Sequence, residues 1–374
     1  MLPEPNFPAR PEQFIGRYRQ IEAFEEALRH SSVTRRMTSF AVLGDWGIGK
    51  SSLLLKFAAI SARPEHRFLP VSLSVGTDLT DYRRLAERLL DKLAETLARS
   101  ESIVDRVRAE AKNWKLKGIS VGGLNLERET ARFLSSGSAL LSHALDDAWK
   151  RFVKPSDFNG AIFLLDDLHN LPSTAAAALA IRDQFQSFGI DSLNYSVCFS
   201  AKASYFSGIR SFAEPAVRFY NKLYIAPFTP EETSDYVQAV FGKTPETSQA
   251  LASWLFDKTL GHPFFLAFIS RKLLAHVGSS VPGSPARHWP EILQQLEQEK
   301  FSFDLGQVSD RENELLRALA KSSDHEFTPG QFVKQSDYVY FRRLTDKGLL
   351  VRTGRGKYKL YHPLFRLFLQ GLRP

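Results

Sequence analysis

The chain has 374 residues, 43% of them hydrophobic and 24% charged, with a formal net charge of +8. That length supports two or three domains with their own cores, and no run approaches 18 apolar residues, which excludes a membrane-spanning helix. One cysteine, Cys198, excludes an internal disulfide and a cysteine-based metal cluster, and a reducing cytoplasm is the simplest location.

The opening stretch, residues 1–8, has no basic segment leading into an apolar core. It reads as a proline-stiffened arm and not as a signal peptide. Ile21, Phe24 and Leu28 then fall at helical spacing, which predicts a helix over about 17–29. A short apolar strand, residues 39–43, runs into Gly44, Asp45, Trp46, Gly47, Ile48, Gly49, Lys50 and Ser51, the pattern G-x-x-x-x-G-K-S. Ser52 opens the helical stretch that follows. Strand, glycine-rich turn and helix in that order are what a phosphate-binding loop requires. Glycines let backbone N–H groups approach phosphates, and the helix N-terminus adds its positive dipole end. Lys50 would reach the β- and γ-phosphates, and the Ser51 hydroxyl would take a position on Mg²⁺.

Residues 68–75 alternate as a second strand, and Tyr82, Leu85, Leu89, Leu93 and Leu97 mark one face of a long helix. Residues 112–128 carry two short alternating runs around Gly122 and Gly123 and predict a β-hairpin insertion, with a helix over about 129–152 after it. Residues 161–165 are continuously apolar and end in Asp166 and Asp167, as a strand buried on both faces of a parallel sheet would. Asp166 is placed to hold Mg²⁺ and Asp167 to activate water; His169, just beyond, reads as a loop residue. Further strands at 195–200 and 222–226, with a helix over 175–188, predict a doubly wound α/β layer. Thr229, Pro230 and Glu232 form a strong helix start, and the pattern to about Val277 is wholly helical.

The last 66 residues carry 13 Lys/Arg against 7 Asp/Glu, so +6 of the net charge lies there. Three helices are expected, over 310–321, 328–333 and 336–347, followed by a hairpin over 348–361. Arg342, Arg343 and Lys347 on the third helix, and Arg352, Arg355, Lys357 and Lys359 on the hairpin, are where DNA phosphates would be met.

These motifs resemble the AAA+/STAND group of P-loop ATPases, particularly the branch of archaeal-type and origin-recognition ATPases. The resemblance spans about residues 11–374 in domain order. It implies a P-loop domain over 1–228, a helical lid over 229–300 and a winged helix-turn-helix over 301–374. It implies ATP and Mg²⁺ as cofactors, bound between core and lid, with Ile15, Gly16 and Arg17 against the adenine. Ser200 takes the sensor-1 place, and Arg218 stands where an arginine finger of a neighbouring subunit often does. Gly261, His262 and Pro263 resemble the G-x-P motif that approaches the phosphates. Residues 362–365 resemble the C-terminal ending of the archaeal-type ATPases. The carboxylate pair is Asp-Asp where many active members have Asp-Glu, which implies slow hydrolysis. Two functions stay open: an ATPase that couples nucleotide state to duplex DNA, in a homo-oligomer, or a nucleotide-gated switch whose winged domain binds protein.

Overall fold

The computed structural model describes residues 2–79, 81–98, 137–171, 174–206, 214–242, 245–277 and 285–371. The chain forms two compact units: a sheet unit of Pro8–Gly44 and Gly49–Ala226, and a helical unit of Met1–Phe7, Asp45–Ile48 and Pro227–Pro374.

The sheet unit begins with helix α1 (Tyr18–Thr34), strand β1 (Ser39–Leu43), helix α2 (Lys50–Ser61), strand β2 (Phe68–Ser74) and helix α3 (Tyr82–Leu97). It continues with α4 (Gly137–Ala148), β3 (Gly160–Asp166), α5 (Thr174–Ile190), β4 (Tyr195–Ala201), α6 (Glu214–Phe219) and β5 (Tyr220–Tyr224). The five strands are parallel, in the order β2-β3-β4-β1-β5. This is the P-loop α/β layer that the alternating pattern predicts. The predicted hairpin at 112–128 lies outside the described residues.

Every residue of β1 and β4 is buried, as strands covered on both faces require. Phe24 stacks on Phe57 at 3.9 Å and meets Phe40 edge-on at 5.5 Å, so α1 and α2 close over the start of β1. Helix α1 runs five residues past the expected end because the polar residues there find partners: Ser31 Oγ donates to Asn194 Oδ1 at 3.0 Å, and Thr34 Oγ1 to the His30 carbonyl. Residues 9–11 are held along α2, where the Ala9 N–H donates to Ser52 Oγ at 3.0 Å and Lys56 Nζ to the Pro11 carbonyl at 2.9 Å.

The helical unit holds α7 (Pro230–Phe241), α8 (Pro245–Thr259), α9 (Pro263–Val277), α10 (Trp289–Leu296) and α11 (Ser302–Gly306). Helix α12 (Asp310–Lys321), helix α13 (Tyr338–Asp346), strands β6 (Leu350–Gly354) and β7 (Lys357–Leu360) and helix α14 (Pro363–Gln370) follow. Thr229 and Glu232 form the expected capping box on α7. The helix expected over 328–333 is one 3₁₀ turn, Pro329–Gln331. Gly330 disfavours helix, and the segment closes on a Thr328–Gln331 box and goes no further. Phe327 then bridges to Tyr358, adding a third short edge to the β6–β7 hairpin. The arrangement is compatible with a winged helix.

Candidate nucleotide site

Two glycines let the loop after β1 turn as a phosphate loop does. Gly47 has φ +68° and Gly49, which opens α2, φ +96°. Lys50 is 9% exposed at the first turn of α2, and Ser51 is half-buried beside it. Gly16 and Arg17 are successive left-handed residues ahead of α1, with Arg17 buried and Ile15 half-buried.

The sheet order brings the second half of the site together. Strand β4 lies between β1 and β3, and Leu165 pairs with Phe199, so the next residues along, Asp166 and Ser200, come side by side. Ser200 Oγ, fully buried, donates to Asp166 Oδ1 at 2.5 Å and accepts from the Asp167 N–H at 2.8 Å. Asp167 itself is left-handed at φ 57°, a conformation disfavoured for a residue with a Cβ and concentrated at functional sites. Burial and the neighbouring Asp166 raise its carboxyl above the usual range, against the opposing pull of Lys50 and Lys202.

Lys202 and His169 belong to this cluster; from sequence His169 reads as a loop residue, and Lys202 is not singled out. Lys202 follows β4 by one residue and interacts with both Asp167 and His169. Burial, then Lys202 and Lys50, push His169 down to about 4, so the ring is neutral at physiological pH. Its Nδ1 lies 3.9 Å from Asp167 Oδ1. A polar residue just past a buried strand is the only sequence signal for Lys202; the strand order decides what it faces.

The remaining candidates fall elsewhere. In the sheet unit Arg218 pairs with Glu214 at 2.6 Å across one turn of α6, exposed to solvent. Within the helical unit, Pro263 begins α9 and the Phe264 N–H donates to the Gly47 carbonyl at 3.2 Å. A Cβ on Gly47 would stand 3.0 Å from His262 Cε1, so this loop position has no room for a side chain. Trp46 packs on Phe264 at 4.6 Å, with Lys300 Nζ 4.1 Å above its ring. Asp45 is exposed and Ile48 buried.

All seven C-terminal cations are exposed: Arg342 and Arg343 on α13, Lys347 just after it, and Arg352, Arg355, Lys357 and Lys359 on the hairpin. Lys347 is also held within the fold. Its Nζ donates to Glu312 Oε2 at 2.6 Å and to the Gln307 carbonyl at 2.9 Å, tying α13 to the start of α12. Burial would raise the Glu312 carboxyl, but hydrogen bonds from Lys347 and Ser309 bring it below the usual range.

Residues 13–181 match the profile of the AAA ATPase domain family. Over these residues the chain is similar to an AAA ATPase domain. Compared with the curated proteins, the sequence matches none. Among solved structures, it is similar to the Walker-type ATPase PABY2304 of Pyrococcus abyssi, at 16% identity over 98% of this chain and 99% of that one, TM-score 0.56. It is similar to the Aeropyrum pernix ORC2 protein, solved as ADPNP–ADP complexes, at 14% identity over 97% and 94%, TM-score 0.58. The A. pernix ORC1 protein, solved in complex with DNA, aligns at 13% identity over 96% and 93%, TM-score 0.50. At these identities the likeness is one of fold.

An AAA ATPase domain takes ATP with Mg²⁺, and the residues present fit both. The glycine turn and buried Lys50 suit a polyphosphate, and Ser51 and Asp166 are hard oxygen ligands. Among the described residues no three His, Cys, Asp or Glu side chains gather as a self-sufficient metal site. A Mg²⁺ ion here would therefore draw further ligands from phosphate oxygens and water, the usual manner of that ion. No described helix is long and apolar enough to cross a membrane.

Proposed function

We propose that this AAA domain hydrolyses ATP slowly and couples its nucleotide state to duplex DNA held by the C-terminal helices and hairpin. Supporting the first half is the cluster of Lys50, Asp166, Asp167, Ser200 and Lys202. Two cations neutralise phosphate charge, Asp166 and Ser51 hold Mg²⁺, and Asp167 accepts the proton of the attacking water. Ile15, Gly16 and Arg17 would lie against the base, while residues 44–52 and His262 and Pro263 approach the phosphates. Slow turnover is expected because a short carboxylate at this position reaches less far than a glutamate.

The observation that carries the second half is the exposure of six cations on α13 and the hairpin. Phosphate contacts of this kind give salt-dependent binding with little sequence readout. Arg218 would serve a neighbouring subunit, since an exposed i,i+4 pair contributes about 0.3–0.5 kcal/mol and releases its arginine cheaply. A domain division into core (1–228), lid (229–300) and winged helix (301–374) matches these roles, in a cytoplasmic protein.

The second reading, a protein-binding switch, is favoured by Tyr338 and Val339, exposed at 41% and 43% on α13 beside the arginines. Measuring the ATPase rate and duplex-DNA affinity against salt separates the two. The DNA reading expects stimulation by duplex and a log–log salt slope of about −0.9 per phosphate contact. It also expects weaker binding when Arg355 and Lys357 are reversed to Glu. An absence of any duplex binding at low salt with ATP present removes it.

A further inference from the structure

We propose that His169 positions the nucleophilic water, its Nδ1 accepting one proton of that water in a hydrogen bond while Asp167 accepts the other. This rests on the hydrolytic reading above and adds a second residue to it. Nδ1 is buried and has no hydrogen-bond partner within the chain. A buried acceptor left unmet costs about 1–3 kcal/mol, and such groups in folded proteins point to a water or ligand. The 3.9 Å from Nδ1 to Asp167 Oδ1 is too long for a direct hydrogen bond. A single water bonded to both atoms at about 2.8 Å spans that gap.

The turn is built to hold this pair. Asp167 takes the left-handed conformation, the Asn170 N–H donates to the Asp167 carbonyl at 2.9 Å, and the Asn170 side chain donates to the Val75 carbonyl at 3.0 Å. Buried Leu168 anchors the segment between the two polar residues. Lys202, just after β4, and Lys50 on α2 face His169, with Asp166 on β3 opposing them. Together with burial these cations keep the ring neutral, and a neutral ring offers a lone pair where a cationic one could only donate.

With both protons held by acceptors, the water's lone pair is directed outward, at the γ-phosphorus. The water oxygen forms the new P–O bond as the bond to the β–γ bridging oxygen breaks, its electron pair leaving on ADP. One water proton passes to Asp167 and thence to the released phosphate. His169 stays unprotonated throughout, as a positioning residue.

The test uses the full chain with His169→Asn and His169→Gln, measuring kcat, KM, ATP affinity and melting temperature. Asparagine sets its amide oxygen near the Nδ1 position, whereas glutamine reaches towards Nε2. Glutamine is expected to lower kcat about tenfold or more with KM and ATP affinity unchanged. Asparagine should stay within about threefold of the parent. Equal losses in both variants, losses that track a lowered melting temperature, or a glutamine variant at full rate overturn the proposal. Asp167→Asn is run alongside: if it is inactive while both His169 variants turn over normally, only the role of His169 is lost. Should Asp167→Asn retain turnover, the hydrolytic reading falls and this proposal with it.

Discussion

Acidification is expected to strip stability from the helical unit through one imidazole, His362. This residue caps α14: its Nδ1 accepts the Leu364 N–H at 3.1 Å, so Nε2 carries the proton and donates to the Thr259 carbonyl at 2.9 Å. Phe265 packs on the ring at 4.0 Å, and the side chain is 3% exposed. Burial, opposed by the Thr259 contact and assisted by Lys359, pushes its pKa from 6.5 down to about 4. Because the folded value lies below the unfolded one, the unfolded chain binds the proton first. The stabilisation is complete above about pH 6.5 and is lost as pH falls from there towards 4, at about 1.4 kcal/mol per pH unit and about 3 kcal/mol in all.

Other groups titrate in the same window, among them His66 and His169, whose values are also lowered chiefly by burial. The comparison that isolates His362 is the parent against His362→Gln. The amide can still donate to Thr259 and carries no titratable proton. Urea unfolding from pH 7.5 to 4 should show the parent losing about 3 kcal/mol more than the variant. In parallel, the NMR signal of the His362 ring should titrate near 4. Equal pH slopes for the two proteins, or a ring midpoint near the ordinary 6.5, would refute the reasoning.

Lys347→Met should cost about 2 kcal/mol in urea unfolding, because it strands the Glu312 carboxylate, whose side chain is 2% exposed. DNA affinity per folded molecule should barely change, in contrast to Arg355→Glu. Ser200→Ala removes the donor to Asp166 and the acceptor for the Asp167 N–H. A hydrogen bond to a charged group is worth about 1.5–3 kcal/mol, so the Mg²⁺ requirement or kcat should move by about tenfold or more, with normal folding. Lys50→Ala should abolish nucleotide binding by calorimetry, and retained ATP affinity would remove Lys50 from the phosphate site.

How much of this was readable in the sequence follows the range over which each interaction acts. The turn from β1 into α2 was legible because everything it needs is contiguous: an apolar strand, glycines at the two positive-φ positions, and a helix. The Thr229 capping box and the buried β3 ending in two aspartates are local in the same sense. What those aspartates face is not local. It depends on β4 lying between β3 and β1, and nothing within residues 195–201 says which strands become neighbours. Ser200 could be expected only through resemblance, while Lys202, which needs the same strand order without a familiar motif, stayed out of view and His169 was read only as a loop residue. Lys347 shows the converse. In the sequence it follows Arg342 and Arg343 by one helical turn or so, yet a buried glutamate 35 residues earlier in the chain claims it. A cation predicted for a partner has first to outbid the carboxylates of its own fold, and burial of Glu312 makes that local competitor the stronger one.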